Sequence, residues 1–133
     1  MKANELMIGD WVMPLKKKLK GIPGRVVTID GGTGVCWIDS NEYSCLVPCS
    51  DVERIPLTSE IFEKNFNEHI PGINLMYDLK GPYMVSNENG QWVFGLVKDA
   101  GENSARYPLV KISFVHELQH ALRLCGINKE IVL

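Results

Sequence analysis

Hydrophobic and polar positions alternate in short runs through the front of the chain and become helical only near its end. Residues 6–13 read as a first strand with a Gly9-Asp10 turn inside or before it, and the β-branched stretch 25–30 reads as a second. Residues 35–38 and 42–47 give a third and a fourth, and 52–55 a short fifth. The turns between them are rich in the residues that bend a backbone, Gly21-Ile22-Pro23-Gly24 and Gly31-Gly32-Thr33-Gly34. Five short strands joined by tight turns predict a small β-barrel over residues 1–57.

Pro56-Leu57-Thr58 interrupts that rhythm. Thr58 is placed to cap a helix over 59–67, with Glu60 and Glu63 near its positive end. Pro71-Gly72 closes this element, and residues 73–79, 83–86 and 91–97 follow as strands, with Asn87-Glu88-Asn89-Gly90 as a hairpin loop. The polar run 98–106, which contains Gly101, predicts a loop, and 109–112 a short strand. The last helix, about 114–125, is the clearest element. Ser113 precedes it as a cap, Phe114, Val115, Leu118, Ala121, Leu122 and Cys125 share a face, and Gly126 stands at its end. Residues 130–133 suit a terminal strand. The fold class is therefore α+β: a small barrel at 1–57, then a small antiparallel sheet packed with a C-terminal helix at 58–133.

At 133 residues, 45% apolar and 23% charged, the chain has a globular composition and no low-complexity segment. No apolar stretch is long enough to span a bilayer, and the start, Met1-Lys2-Ala3-Asn4-Glu5, lacks the apolar region of an export signal. The expected compartment is the cytoplasm, where Cys36, Cys45, Cys49 and Cys125 remain thiols. Cys45-Leu46-Val47-Pro48-Cys49 has the wrong spacing for a zinc ribbon or a redox pair, which leaves these cysteines as small apolar residues.

The net charge of −2 conceals an asymmetry: residues 1–25 carry +4 and the remainder −6. Most of the excess lies in Lys16, Lys17, Lys18 and Lys20, a loop able to contact phosphates, with Trp11 or Trp37 as stacking faces. A predominantly acidic chain with one basic loop does not have the charge of a dedicated nucleic-acid binder, so the loop reads first as solvated surface. Trp11, Trp37 and Trp92 lie within apolar runs and are expected in the core.

The one string that spells a chemistry is His116-Glu117-Leu118-Gln119-His120. Two histidines one helical turn apart can ligate zinc while the glutamate activates the bound water. On the helix, however, stepping about 100° per residue from Leu118 puts His116 and His120 near the opposite pole, facing water beside Arg123. The third ligand a catalytic zinc requires is also missing nearby, since His69 is the sole other histidine and Glu130 the sole acid after His120. No phosphate loop, dinucleotide fingerprint or nucleophile elbow is present.

Two stretches carry a family resemblance. Lys2-Ala3-Asn4-Glu5-Leu6-Met7-Ile8-Gly9-Asp10-Trp11-Val12, and Val115-His116-Glu117-Leu118-Gln119 with Leu122, Leu124, Gly126-Ile127 and Lys129-Glu130-Ile131, resemble small uncharacterised proteins of gut-anaerobe genomes and their prophages. Ile55-Pro56-Leu57-Thr58 extends the match between them. In that pattern the position of His120 is commonly asparagine and that of Glu117 often glutamine, so the zinc-like string does not define the family. The resemblance implies an accessory protein of a mobile element. Separately, Ile8-Gly9-Asp10-Trp11-Val12 followed by Gly24-Arg25-Val26-Val27-Thr28-Ile29 looks like the opening of an SH3-like barrel, a likeness of fold alone. The expected function is a non-enzymatic module binding a protein partner, without cofactor or membrane. A nucleic-acid module using Lys16–Lys20 and a zinc hydrolase using His116, Glu117 and His120 are the alternatives.

Overall fold

The structure, a computed structural model, describes residues 1–16, 18–19, 21–68, 76–100 and 103–133, with the backbone alone described at 99–100 and 103–105. Lys17, Lys20, His69, Pro71-Gly72, the first part of the strand expected from residue 73, and Gly101 lie outside the described residues.

Among the described residues the protein is α+β, with two antiparallel five-stranded sheets and two α-helices. The first sheet comprises β1 (Trp11–Pro14), β2 (Gly24–Asp30), β3 (Val35–Asp39), β4 (Ser44–Pro48) and β5 (Val52–Glu53), in the order β4-β3-β2-β1-β5. The second comprises β6 (Asn67–Glu68), β7 (Met76–Asp78), β8 (Tyr83–Glu88), β9 (Gln91–Ala100) and β10 (Asn103–Ile112), in the order β10-β9-β8-β7-β6. Neither sheet is closed among the described residues. The helices are α1 (Ser59–Asn65) and α2 (Val115–Leu124), and no helix among the described residues is long and apolar enough to cross a membrane. The chain forms two compact units: Met1–Pro56 with Phe114–His116, and Leu57–Ser113 with Glu117–Leu133.

In unit 1 the expected glycine-aspartate turn stands before β1. Gly9 has φ of 90°, the left-handed backbone that the third position of a tight turn requires, and the Asp10 N–H donates to Met7 O. The Asp10 side chain is fully buried, and its carboxylate accepts the Met7 N–H at 2.8 Å. Period-two alternation then sends Val12, Val26, Cys36, Ile38 and Val47 into a single core, joined by Leu6, Cys49 and Val52. A turn of 3-10 helix, Cys49–Asp51, carries the chain from β4 to β5.

Unit 2 is built around an aromatic cluster. Phe62 stacks on Tyr77 at 5.2 Å between centroids and tilts against Trp92 at 4.3 Å, and all three are buried. Thr58 caps α1, its hydroxyl accepting the Ile61 N–H at 3.4 Å. Asn89 and Gly90 form a two-residue turn between β8 and β9, with φ of 52° and 84°, as a type I′ hairpin demands. At the end of α2 the Gly126 N–H donates to Arg123 O and the Ile127 N–H to Leu122 O, with Gly126 left-handed at φ 69°.

Two sequence expectations fail here for physical reasons. Within the run 98–106 the described residues are strand instead of loop: β9 reaches Ala100 and β10 begins at Asn103, and 109–112 is only the far end of that ten-residue strand. Residues 106–111 are all exposed, so this part of β10 carries no apolar-in, polar-out pattern that would identify it. The tail 130–133 is not a strand. The Asn65 side chain takes the place of a neighbouring strand, accepting the Val132 N–H at 2.8 Å and donating to Val132 O at 2.7 Å. The Lys64 ammonium donates to Leu133 O.

Candidate functional site

The zinc-like string does not occupy the position the helical wheel assigns it. His116 is 4% exposed, whereas both histidines were expected to face water. The reason is the environment of the first turn of α2. Phe114–His116 belongs to unit 1, where Phe114 bridges Pro56 and the Val115 N–H donates to Ile55 O at 2.9 Å. A single apolar stripe centred on Leu118 gives no sign that Phe114–His116 groups with Met1–Pro56. His116 lies against the Phe114 ring, 6.0 Å between centroids, while Glu117 and His120 are half-buried. The Glu117 carboxylate accepts the Ser113 N–H at 2.7 Å, so the acid serves the helix start rather than Ser113 acting through its hydroxyl. Among the described residues no group of three or more His, Cys, Asp or Glu side chains converges to hold a metal ion.

Of the basic loop, Lys16 and Lys18 are described and both are exposed. The Lys16 ammonium donates to Leu46 O at 3.3 Å, which ties the loop to β4. Four thiols are free. Burial, and then the neighbouring Cys49, push the Cys36 thiol up to about 12, which makes it a poor nucleophile at neutral pH.

Sequence reasoning misplaced one exposed aromatic residue. Trp37 was expected in the core and is 40% exposed. Cys36 and Ile38 occupy the inward positions of β3, so strand alternation turns Trp37 to the opposite face. Directly across the ladder stands Leu46, 56% exposed, and the partner on the other side is Thr28. Next to Thr28 the register slips between Val26 and Thr28, leaving Val27 as the extra residue of a bulge, 42% exposed. The Trp37 indole N–H donates to the Ser44 hydroxyl at 2.8 Å, which fixes the ring on the strand surface. Trp11 is half-buried and lies under the Arg25 guanidinium, 4.5 Å from the ring centre, and Trp92 is buried as expected. The missed signal was period two itself: Cys36 and Ile38 cannot be inward unless Trp37 is outward.

No protein-family model, no curated protein and no solved structure matches the chain.

Proposed function

We propose that this chain is a non-enzymatic, cytoplasmic protein-binding module, an accessory of a mobile element or prophage, and that it docks its partner on the outer face of the first sheet. The observation that carries the reading is the cross-strand pair Trp37 and Leu46, large apolar side chains held outward beside bulged Val27. A tryptophan held by a hydrogen bond loses little freedom on binding and offers a large apolar area, the profile of an interface anchor. The strand order β4-β3-β2-β1-β5, with a 3-10 turn between β4 and β5, supports reading unit 1 as an SH3-like barrel. The family resemblance of the two chain ends supports the mobile-element setting. The zinc-hydrolase alternative has no comparable support, since His116 is buried and Glu117 is bonded to the Ser113 backbone.

The test is a photo-reactive side chain at position 46, cross-linked in the host's lysate at low and high salt, in the wild-type background and with Trp37→Ala. The expected result is one discrete protein adduct that survives high salt and disappears in the variant. Adducts unchanged by Trp37→Ala, or a product that is nucleic acid and vanishes with salt, would overturn the reading, the latter in favour of the Lys16–Lys20 loop.

A further inference from the structure

A second feature lies wholly within unit 2 and is independent of the docking face. The end of α1 with the start of β6, the turn between β7 and β8, and the segment after α2 enclose a cleft of about 300 Å³. That volume is at the small end of the range for small-molecule sites. Its walls are stiffened by Asn65, whose amide donates to Ile61 O and also binds both backbone groups of Val132. Asn65 is thereby committed to the fold. Asn67, Lys80 and Asn128 are different: their side chains are exposed at the cleft and, among the described residues, make no hydrogen bond or ion pair.

Charge and apolar surface select the ligand. Lys80 and Lys129 both line the cleft against one acid, Asp78, which leaves an excess of positive charge. Phe66 contributes a half-buried ring, and the Lys129 ammonium lies 5.7 Å from its centre. A cationic ligand would compete with Lys129 for that ring and would meet two ammonium groups against one carboxylate. An anion pairs with Lys129 where it stands, and a flat apolar body attached to the anion can lie along the ring.

We propose that this cleft binds a small organic anion, a carboxylate or phosphate monoester on a planar apolar body. The head group is held by Lys80 and Lys129, the body lies against Phe66, and the Asn67 and Asn128 amides supply hydrogen bonds. The experiment is an NMR titration of the full chain with phenyl phosphate, phenylacetate, methyl phosphate and benzamidine, following the Asn67 and Asn128 side-chain amides. A planar anion of this size is expected to bind with a Kd of about 1 mM. Whichever of phenyl phosphate and phenylacetate binds tighter identifies the head group. Methyl phosphate, lacking the body, should bind about tenfold more weakly, and Lys80→Glu with Lys129→Glu should remove binding without lowering the thermal midpoint. Asp78→Asn should tighten it. The proposal is overturned if neither planar anion shifts those amides, if the double lysine variant binds as well as wild type, or if benzamidine binds the cleft as tightly as the anions.

Discussion

At the start of α2 the Glu117 carboxylate holds the Ser113 N–H at the positive end of the helix. Glu117→Gln keeps an acceptor there but loses the charge, and is expected to cost about 0.3–1 kcal/mol in urea unfolding. Leu118→Ala, which empties a fully buried position one residue on, should cost about 2–5 kcal/mol, while half-buried His120→Asn should stay within about 0.5 kcal/mol. A chelator should leave all three unchanged. Unit 1 also contains two groups that resist ionisation. Burial and Cys49 push the Cys36 thiol up to about 12 from 9.0, and burial, with Cys45 next, pushes the Tyr43 hydroxyl up to about 12 from 10.0. The Tyr43 hydroxyl also donates to Ile22 O at 3.0 Å, a bond that the phenolate cannot make. Both groups are held protonated by the fold and release protons sooner when unfolded. Their stabilisation is therefore complete below about pH 9 and declines as pH rises towards 12. Urea midpoints measured against pH should show that decline, with Tyr43→Phe removing its upper part and Cys36→Ala the part that begins first.

Among the elements, those with one buried face were legible in the sequence and those without were not. The turn at Gly31-Gly32-Thr33-Gly34, the Thr58 cap and the Gly126 stop are local chemistry, and they stand where the sequence put them. β9 and β10 run on past their buried portion as a ribbon whose composition resembles a loop. Nothing local could reveal the docking of the tail either, because Asn65 reaches a residue 67 positions away. The buried part of the same strand pair contains a sharp steric test. A Cβ at Gly95 would lie 2.6 Å from Tyr107 O and 3.2 Å from Pro108 Cα, backbone atoms that cannot swing aside. Gly95→Ala should therefore cost about 1–3 kcal/mol and shift amide resonances along β9 and β10. Gly31→Ala, where a Cβ meets nothing within 4 Å, should leave both stability and spectrum alone.

For the molecule as a whole, nothing in the sequence signals the return of the chain to unit 1. Phe114–His116 joins Met1–Pro56, contributing fully buried Val115 and its bond to Ile55 O. Hydrophobic periodicity describes one helix with one face, and so gives no sign that the residues at the start of that helix group with Met1–Pro56. Unit 1 is consequently discontinuous, and a fragment of residues 1–57 lacks Phe114–His116 with its backbone bond to Ile55 O and its bridge to Pro56. Hydrogen exchange should show β1 to β5 less protected in that fragment than in the full chain. Equal protection would mean that Val115 and its neighbours are dispensable to unit 1.

The Asn89-Gly90 turn also keeps time. Asparagine followed by glycine is the pair most prone to deamidate, because the glycine nitrogen attacks the asparagine side chain with no Cβ in the way. Here the nitrogen that would attack is occupied: the Gly90 N–H donates to the Asn87 side-chain oxygen at 2.9 Å, and the flanking residues Glu88 and Gln91 are paired across the hairpin. The folded turn thus protects a bond that the open turn exposes, and chemical ageing at Asn89 becomes a record of how often this hairpin opens. Asn87→Ala removes the restraint without touching the reacting pair. Mass spectrometry of stored protein should find Asn89 converted faster in that variant than in wild type, and at equal rates once both are unfolded in urea.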